Sequence, residues 1–441
     1  MSYCAIDFGT SNSALAIPDA AAGAPGMALV PLEGEHRTMP TAVFYFADPE
    51  TPVPAGAEPP RAFGRAAIRA YVEGHEGRLM RSMKSLLGSS LIEQVTDVGG
   101  GRAVKYLDVI TGYLRHLKAC GEAAGGRALT QVVLGRPVFF VDEDAQRDRA
   151  AQDALEAAAR AVGFEQVAFQ YEPIAAALDY ERLAAAEGIA EQRVLVADIG
   201  GGTSDFSVVR VGAARAARVE RREDILASHG VHVAGTDFDR RVALARLMPP
   251  LGYRSLGPVR SGQSPREVPS AVYFDLATWH LINTVYPPQR IAELKSMASF
   301  YADAALHGRL MRVVTERLGH ELLGRAEEAK IAVAAGGCHE APLSFVERGL
   351  QVEVSEAQAL EAIEADLGRI VDAALETVRL AGLAPQQVDA LYFTGGSTGL
   401  RLLTERLAGA LPEARPVRGD RLASVATGLG LHAARHFGEP R

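Results

Sequence analysis

The chain has 441 residues and a formal charge of −8, long enough for two or more domains with substantial cores. Its acidic balance argues against broad attraction to nucleic acid or anionic lipid, which clustered Lys and Arg would supply. Three cysteines, Cys4, Cys120 and Cys338, stand far apart without Cys-x-x-Cys spacing, so neither a zinc site nor a disulfide framework is expected. The amino terminus enters a strand-like run at once, with no basic segment and long apolar stretch, and no apolar run reaches membrane-spanning length. A soluble, cytoplasmic protein is the expectation.

In chain order, Tyr3–Phe8 reads as a buried strand and Ala42–Phe46 as another. Residues 48–60, rich in Pro, Ala and Gly, read as a surface loop. Gln131–Leu134 is a strand, and a helical pattern from Asp144 to Val162 stops at Gly163, which suits a left-handed C-terminal cap. Val194–Ile199 and Ser207–Val211 flank a glycine run, and the cluster Arg215, Arg218, Arg221 and Arg222 behind them reads as a solvated face. Residues 249–270 mix Pro, Gly and Ser and open an insertion. Ser355 with Gln358 makes a capping box, after which Ile363, Leu367, Ile370, Ala374 and Val378 hold one helical stripe. Ala390–Thr394 is the last clear strand. Strands and helices interleave, so the fold class is α/β.

Two stretches echo each other across almost the first half of the chain. "AIDFGTSNSALAI" (5–17) and "VADIGGGTSDFSVV" (196–209) share the order apolar strand, Asp, apolar residue, Gly, small residues with Thr, and strand. Glycines cost conformational entropy, about 0.5–1 kcal/mol each against alanine in a regular element, so something must need the backbone to come close. Such a hairpin offers backbone N–H groups and a Thr hydroxyl to a polyanion, while the strand-end carboxylate can hold magnesium through its waters. Asp7, Asp198 and Asp205 are the metal candidates. Two opposed hairpins would clamp a triphosphate between two related lobes. Neither GxxxxGK[ST] nor a GxGxxG opening a helix occurs.

These motifs resemble the two phosphate motifs of the actin, sugar-kinase and heat-shock-protein-70 superfamily. "VVLGRPVFF…QRDRA" (132–150), "YEPIAAALDYE" (171–181), "GTDFDRR" (235–241), "AEEAKIAVA" (326–334), "LYFTGGSTGL" (391–400) and "ASVATGLGLHAA" (423–434) narrow it to heat-shock protein 70 ATPase domains. The shape without a peptide-binding domain, with "VPSAVYFDLATWH" (268–280), is similar to the short YegD-like branch. The resemblance implies two actin-like (ribonuclease H-like) lobes around a nucleotide cleft. Lobe I would span 1–188 with a subdomain at about 41–106; lobe II would span 189–441 with an insertion at about 245–320. A final helix at about 424–436 would fold back on lobe I. It further implies ATP or ADP with Mg2+ as ligands, slow hydrolysis, lobe movement as output, and a protein client or co-chaperone as partner. Gly9, Thr10, Ser11 and Asn12 would handle phosphates and metal water, with Gly200, Gly201, Gly202 and Thr203 facing them. Asp198, Thr203 and Asp205 would organise magnesium and the attacking water, and Glu172 would act with Pro137 at the lobe junction. Glu327 and Lys330 would hold the ribose, and Gly395, Gly396 and Ser397 would border the adenosine.

Three positions depart from the family pattern. Its catalytic lysine is matched by Ile68, and its adenine-sandwiching arginines by Ile331 and Gly399, so nucleotide binding is expected to survive better than hydrolysis. Arg65, Arg69 or Lys84 could reach the empty cation position, although Lys84 in "MKSLLG" reads more simply as structural. Bland readings stand beside the functional ones: Glu172 as a helix-start charge, Asp237 and Asp239 as helix caps, His229 and His232 as loop residues. Trp279, with Tyr273 and Phe274, reads as insertion core. The rival functions are a small-molecule kinase of the same superfamily and an actin-like filament protein.

Overall fold

A computed structural model of the chain describes residues 2–19, 26–47, 58–141, 144–184, 191–216, 218–259, 264–420 and 423–438. Two larger sheets repeat one pattern. In the N-terminal sheet the order is Gln166–Tyr171, Gln131–Arg136, Tyr3–Phe8, Asn12–Pro18, Met27–Leu29. The first three strands run parallel, and the next two are added antiparallel. The C-terminal sheet has the order Arg415–Arg418, Ala390–Thr394, Gln192–Ile199, Ser204–Val211, Ile225–Val231, with the same alternation of sense. Both central strands read as near-continuous apolar runs because both of their faces are covered.

Side chains alternate across a strand, so each central strand feeds two cores. Ile6 and Phe8 point into an N-terminal core with Val132, Leu134 and Ile110. Leu195, Ala197 and Ile199 point into a C-terminal core. The remaining faces meet: Tyr3, Ala5 and Val133 pack in one cluster with Val194, Val196 and Tyr392, and with the helices Glu172–Ala184 and Ser424–Phe437. Gly428 lets these helices touch, since a Cβ there would lie 1.8 Å from the Ala175 carbonyl oxygen. Asp7 and Asp198 belong to these meeting faces, at the carboxyl ends of their strands, where α/β sheets place ligands.

Several expectations meet the structure closely. Tyr3–Phe8, Ala42–Phe46 and Ala390–Thr394 are strands with the expected bounds. The capping box forms, with Gln358 N donating to Ser355 Oγ at 3.2 Å and Ser355 N to Gln358 Oε1 at 3.0 Å. Gly163 sits at φ 91° after the helix Ala145–Ala161. One strand boundary is corrected. The strand expected from Ser207 begins at Ser204, whose buried hydroxyl donates to the Val233 carbonyl at 2.7 Å; polar residues concealed the first rungs of that ladder. Of the loop expected at 48–60, residues 58–60 are irregular ahead of the strand Arg61–Phe63, and residues 48–57 lie outside the described residues. Residues 271–315 form helices whose Val272, Tyr273, Leu276, Leu310 and Val313 belong to the C-terminal core itself.

The arginine cluster is solvated only in part: Arg218 and Arg222 are exposed, as expected, whereas Arg221 and Arg215 are drawn inward. Arg221 is 2% exposed and forks onto Glu181 at 2.8 and 2.9 Å while its Nε donates to Asp224 at 2.8 Å. Arg215 pairs with the same Asp224 and with Glu191. A charge buried this deeply requires partners, and here they come from the helix Glu172–Ala184 and from a short turn.

Candidate functional site: the opposed glycine turns

The first hairpin pairs Asp7 with Ala14 and Phe8 with Ser13, leaving residues 9–12 as the connection. Thr41 braces it: its hydroxyl donates to the Gly9 carbonyl at 2.7 Å and shares a hydrogen bond with Ser13 Oγ at 2.8 Å, while its backbone N–H donates to Ser11 O at 2.9 Å. The second hairpin pairs Asp198 with Asp205 and Ile199 with Ser204, leaving residues 200–203, closed by Gly200 N donating to Thr203 O at 3.0 Å. Asp7 and Asp198 thus hold the same place relative to their turns. Thr203 Oγ1 donates to Asp205 Oδ2 at 2.8 Å, so hydroxyl and carboxylate are already oriented together.

The turns face each other. A Cβ placed on Gly201 would lie 2.9 Å from Ser11 Oγ, so a side chain there would displace the Ser11 hydroxyl from the facing turn. Further loops join the second turn. Thr236 donates to the Gly201 carbonyl through its backbone and its hydroxyl, each at 2.8 Å, and Ser397 Oγ donates to Gly200 O at 2.7 Å. Gly395, at φ 87°, lets the 395–397 segment run against Ile199, whose carbonyl oxygen a Cβ would meet at 2.3 Å. Lys330 pairs with Asp239 at 2.6 Å and reaches the Gly235 carbonyl at 3.4 Å, linking the helix Gly319–Ala332 to the same cluster. Glu327 lies one turn earlier on that helix and is exposed. Residues 9–12, 200–203, 235–236, 395–397 and Lys330 therefore converge, although they lie far apart in sequence.

Charge gathers beside the turns. Burial raises the Asp7 carboxyl to about 7, with Glu172 adding to the rise and Lys84 opposing it. Burial also raises Asp198 to about 8, helped by Asp205, Glu172 and Asp7. Asp205 is raised too, by burial first, against the hydrogen bond from Thr203. Water still reaches these groups, Asp205 most of all. Carboxylates this crowded favour a hard cation, and oxygen-only donors at strand ends suit magnesium held through water. Among the described residues no three His, Cys, Asp or Glu side chains gather tightly enough to ligate a metal directly.

A family model described as Hsp70 protein matches residues 4–245, more than half of the chain. The chain belongs to the Hsp70 family. Membership supports an actin-like ATPase fold and an ATP-binding, chaperone-type function. The matched span of this Hsp70 chain includes both glycine turns, Lys84 and Glu172, and ends before Glu327, Lys330 and residues 395–397. Among the described residues, no helix is long and apolar enough to cross a membrane.

Lys84 is the residue that sequence reasoning undervalued in this Hsp70 protein. It is 8% exposed, it forms an ion pair with Glu172, and its charge acts on Asp7, Asp198 and Asp205. Burial works against its charge, but Glu172 and Asp7 prevail and hold the ammonium above its ordinary pKa. Glu172 in turn lies against Gly135, where an added Cβ would meet its side chain at 3.3 Å. The reading of Glu172 as only a helix-start charge is therefore corrected. Asp237 accepts from Ala234 N at 3.1 Å and is a helix cap, whereas Asp239 serves Lys330. Ile331 is 62% exposed beside Lys330, an apolar side chain left in water.

Trp279 is also more than insertion core. Its ring stacks on Tyr71 at 4.9 Å, the His320 ring meets its edge at 5.1 Å, and the Arg81 guanidinium lies 4.4 Å above it. Tyr71 and Arg81 come from the segment 61–81, packed on Ala42–Phe46, and Trp279 and His320 from the C-terminal core region. Burial lowers the Arg81 pKa, and Glu327 opposes that shift across the same contact. No local pattern in either segment marks this pairing.

Proposed function

We propose that the chain binds Mg-ATP and Mg-ADP between the turns 9–12 and 200–203, hydrolyses ATP slowly, and signals nucleotide state to a protein client or co-chaperone. The observation that carries this reading is the approach of Ser11 to Gly201, with Asp7, Asp198 and Asp205 at the strand ends beside it. Backbone N–H groups of Gly9 to Asn12 and Gly200 to Thr203 would bind phosphate oxygens. Asp7, Asp198 and Asp205 would hold magnesium, which when bound supplies charge neutralisation at the phosphates. Thr203 and Asp205 orient a water for attack, Glu327 and Lys330 take the ribose, and Gly395, Gly396 and Ser397 border the adenosine.

The repeated sheet order supports two related lobes with a boundary near residue 188, the final helix Ser424–Phe437 packing on the N-terminal one. Their relative rotation on nucleotide exchange would be the output. The YegD-like branch and a cytoplasmic setting belong to the same reading. Calorimetric titration with ATP and ADP, with and without magnesium, tests it. Wild type is expected to bind both nucleotides with magnesium, and Asp198→Ala to lose about tenfold or more in affinity. Wild type that binds neither would refute the reading.

A further inference from the structure

A bound triphosphate would add negative charge to a site that already holds Asp7, Glu172, Asp198 and Asp205, so magnesium needs help from a fixed protein cation. The motif position matched to the family lysine cannot give it. Ile68 packs with Phe44 and Ala67 in a small apolar cluster. Arg65 is committed to Glu33 and to the Thr38 carbonyl, at 2.5 and 2.8 Å, and Arg69 is exposed.

Lys84 arrives from elsewhere, on a turn built to point it inward. Ser82 enters the left-handed region at φ 52°, unusual for a residue with a Cβ, and the single turn Met83–Leu86 follows. Met83 and Leu87 are buried in the N-terminal core, and Arg147 donates to the Gly88 carbonyl at 2.9 and 2.7 Å. With its stem fixed at both ends, Lys84 meets the Glu172 carboxylate. Among the described residues that is its one hydrogen-bond acceptor, so donors of the ammonium remain for a ligand.

We propose that Lys84, aimed by Glu172, is the protein cation that contacts the terminal phosphate of bound ATP. The proposal rests on the nucleotide reading above. Contact with the terminal phosphate distinguishes ATP from ADP, whereas a mere counter-ion for Glu172 would not.

The test is calorimetric binding of Mg-ATP and Mg-ADP to wild type, Lys84→Met, Lys84→Arg and the charge-balanced double variant Lys84→Met/Glu172→Gln, each checked for folding by thermal unfolding. Lys84→Met and the double variant are expected to lose about ten- to a hundredfold in ATP affinity and less than about threefold for ADP. Lys84→Arg should recover part of the preference for ATP. Equal losses for both nucleotides, or no loss in a folded variant, would overturn the role of Lys84 while leaving nucleotide binding intact. Wild type that binds neither nucleotide would overturn the nucleotide reading, and the role of Lys84 with it.

Discussion

Beside the apolar cluster where the two sheets meet, the N-terminal and C-terminal parts of this chain touch at two places of opposite chemistry. At the strand ends the contact is polar and thin, Ser11 against Gly201, with carboxylates and Lys84 around it. At the other it is aromatic and close-packed, with Tyr71, Trp279 and His320 in mutual ring contact under Arg81. The difference separates tasks. Crowded carboxylates repel one another at the first contact, whereas stacked rings hold the second together.

The sharpest way to break the comparison is Gly201→Val. Its branched side chain would fill the space in front of Ser11, and nucleotide affinity should fall by about a hundredfold or more, with thermal unfolding little changed because the glycine's φ is ordinary. Retained affinity would mean that the ligand does not pass between the turns. Trp279→Ala comes next. It removes a half-buried ring and a stack, which should lower stability by about 1–3 kcal/mol by denaturant unfolding, while Mg-ADP still binds. Loss of ADP binding in a folded variant would show that the two contacts are not separate in function.

A pH titration gives the smallest effect. Burial lowers the His320 pKa to about 4, so the folded state prefers the neutral ring. Between about pH 6.5 and about 4 the unfolded chain binds the extra proton, and the stability contributed by His320 is complete above that window and lost as pH falls through it, up to roughly 1–3 kcal/mol. His432 is lowered to about 4 by burial and adds a term of the same sign. Guanidinium unfolding at pH 7 and pH 5 should therefore show a smaller acid penalty for His320→Gln than for wild type. An unchanged penalty would place the acid sensitivity elsewhere.

Much of the site was legible because its elements are local. Asp-x-Gly at the end of an apolar run marks both turns, and the capping box and the glycine after Val162 mark helix ends within a few residues. What stayed hidden depends on distant partners. "MKSLLG" describes only a turn; that Lys84 is buried depends on Glu172, its partner 88 residues away. Arg221 reads as surface because its buried acceptor, Glu181, lies 40 residues away on the helix Glu172–Ala184. Short strands such as Met27–Leu29 and Arg415–Arg418 carry too few residues for alternation to show, and their neighbours in the sheet define them.

The central claim, that one ligand engages both glycine turns at once, is tested most directly by amide hydrogen exchange with and without Mg-ATP. The account predicts that residues 9–12 and 200–203 become protected together, with residues 395–397 following. Protection of one turn alone, or of neither while the protein binds nucleotide elsewhere, would contradict it.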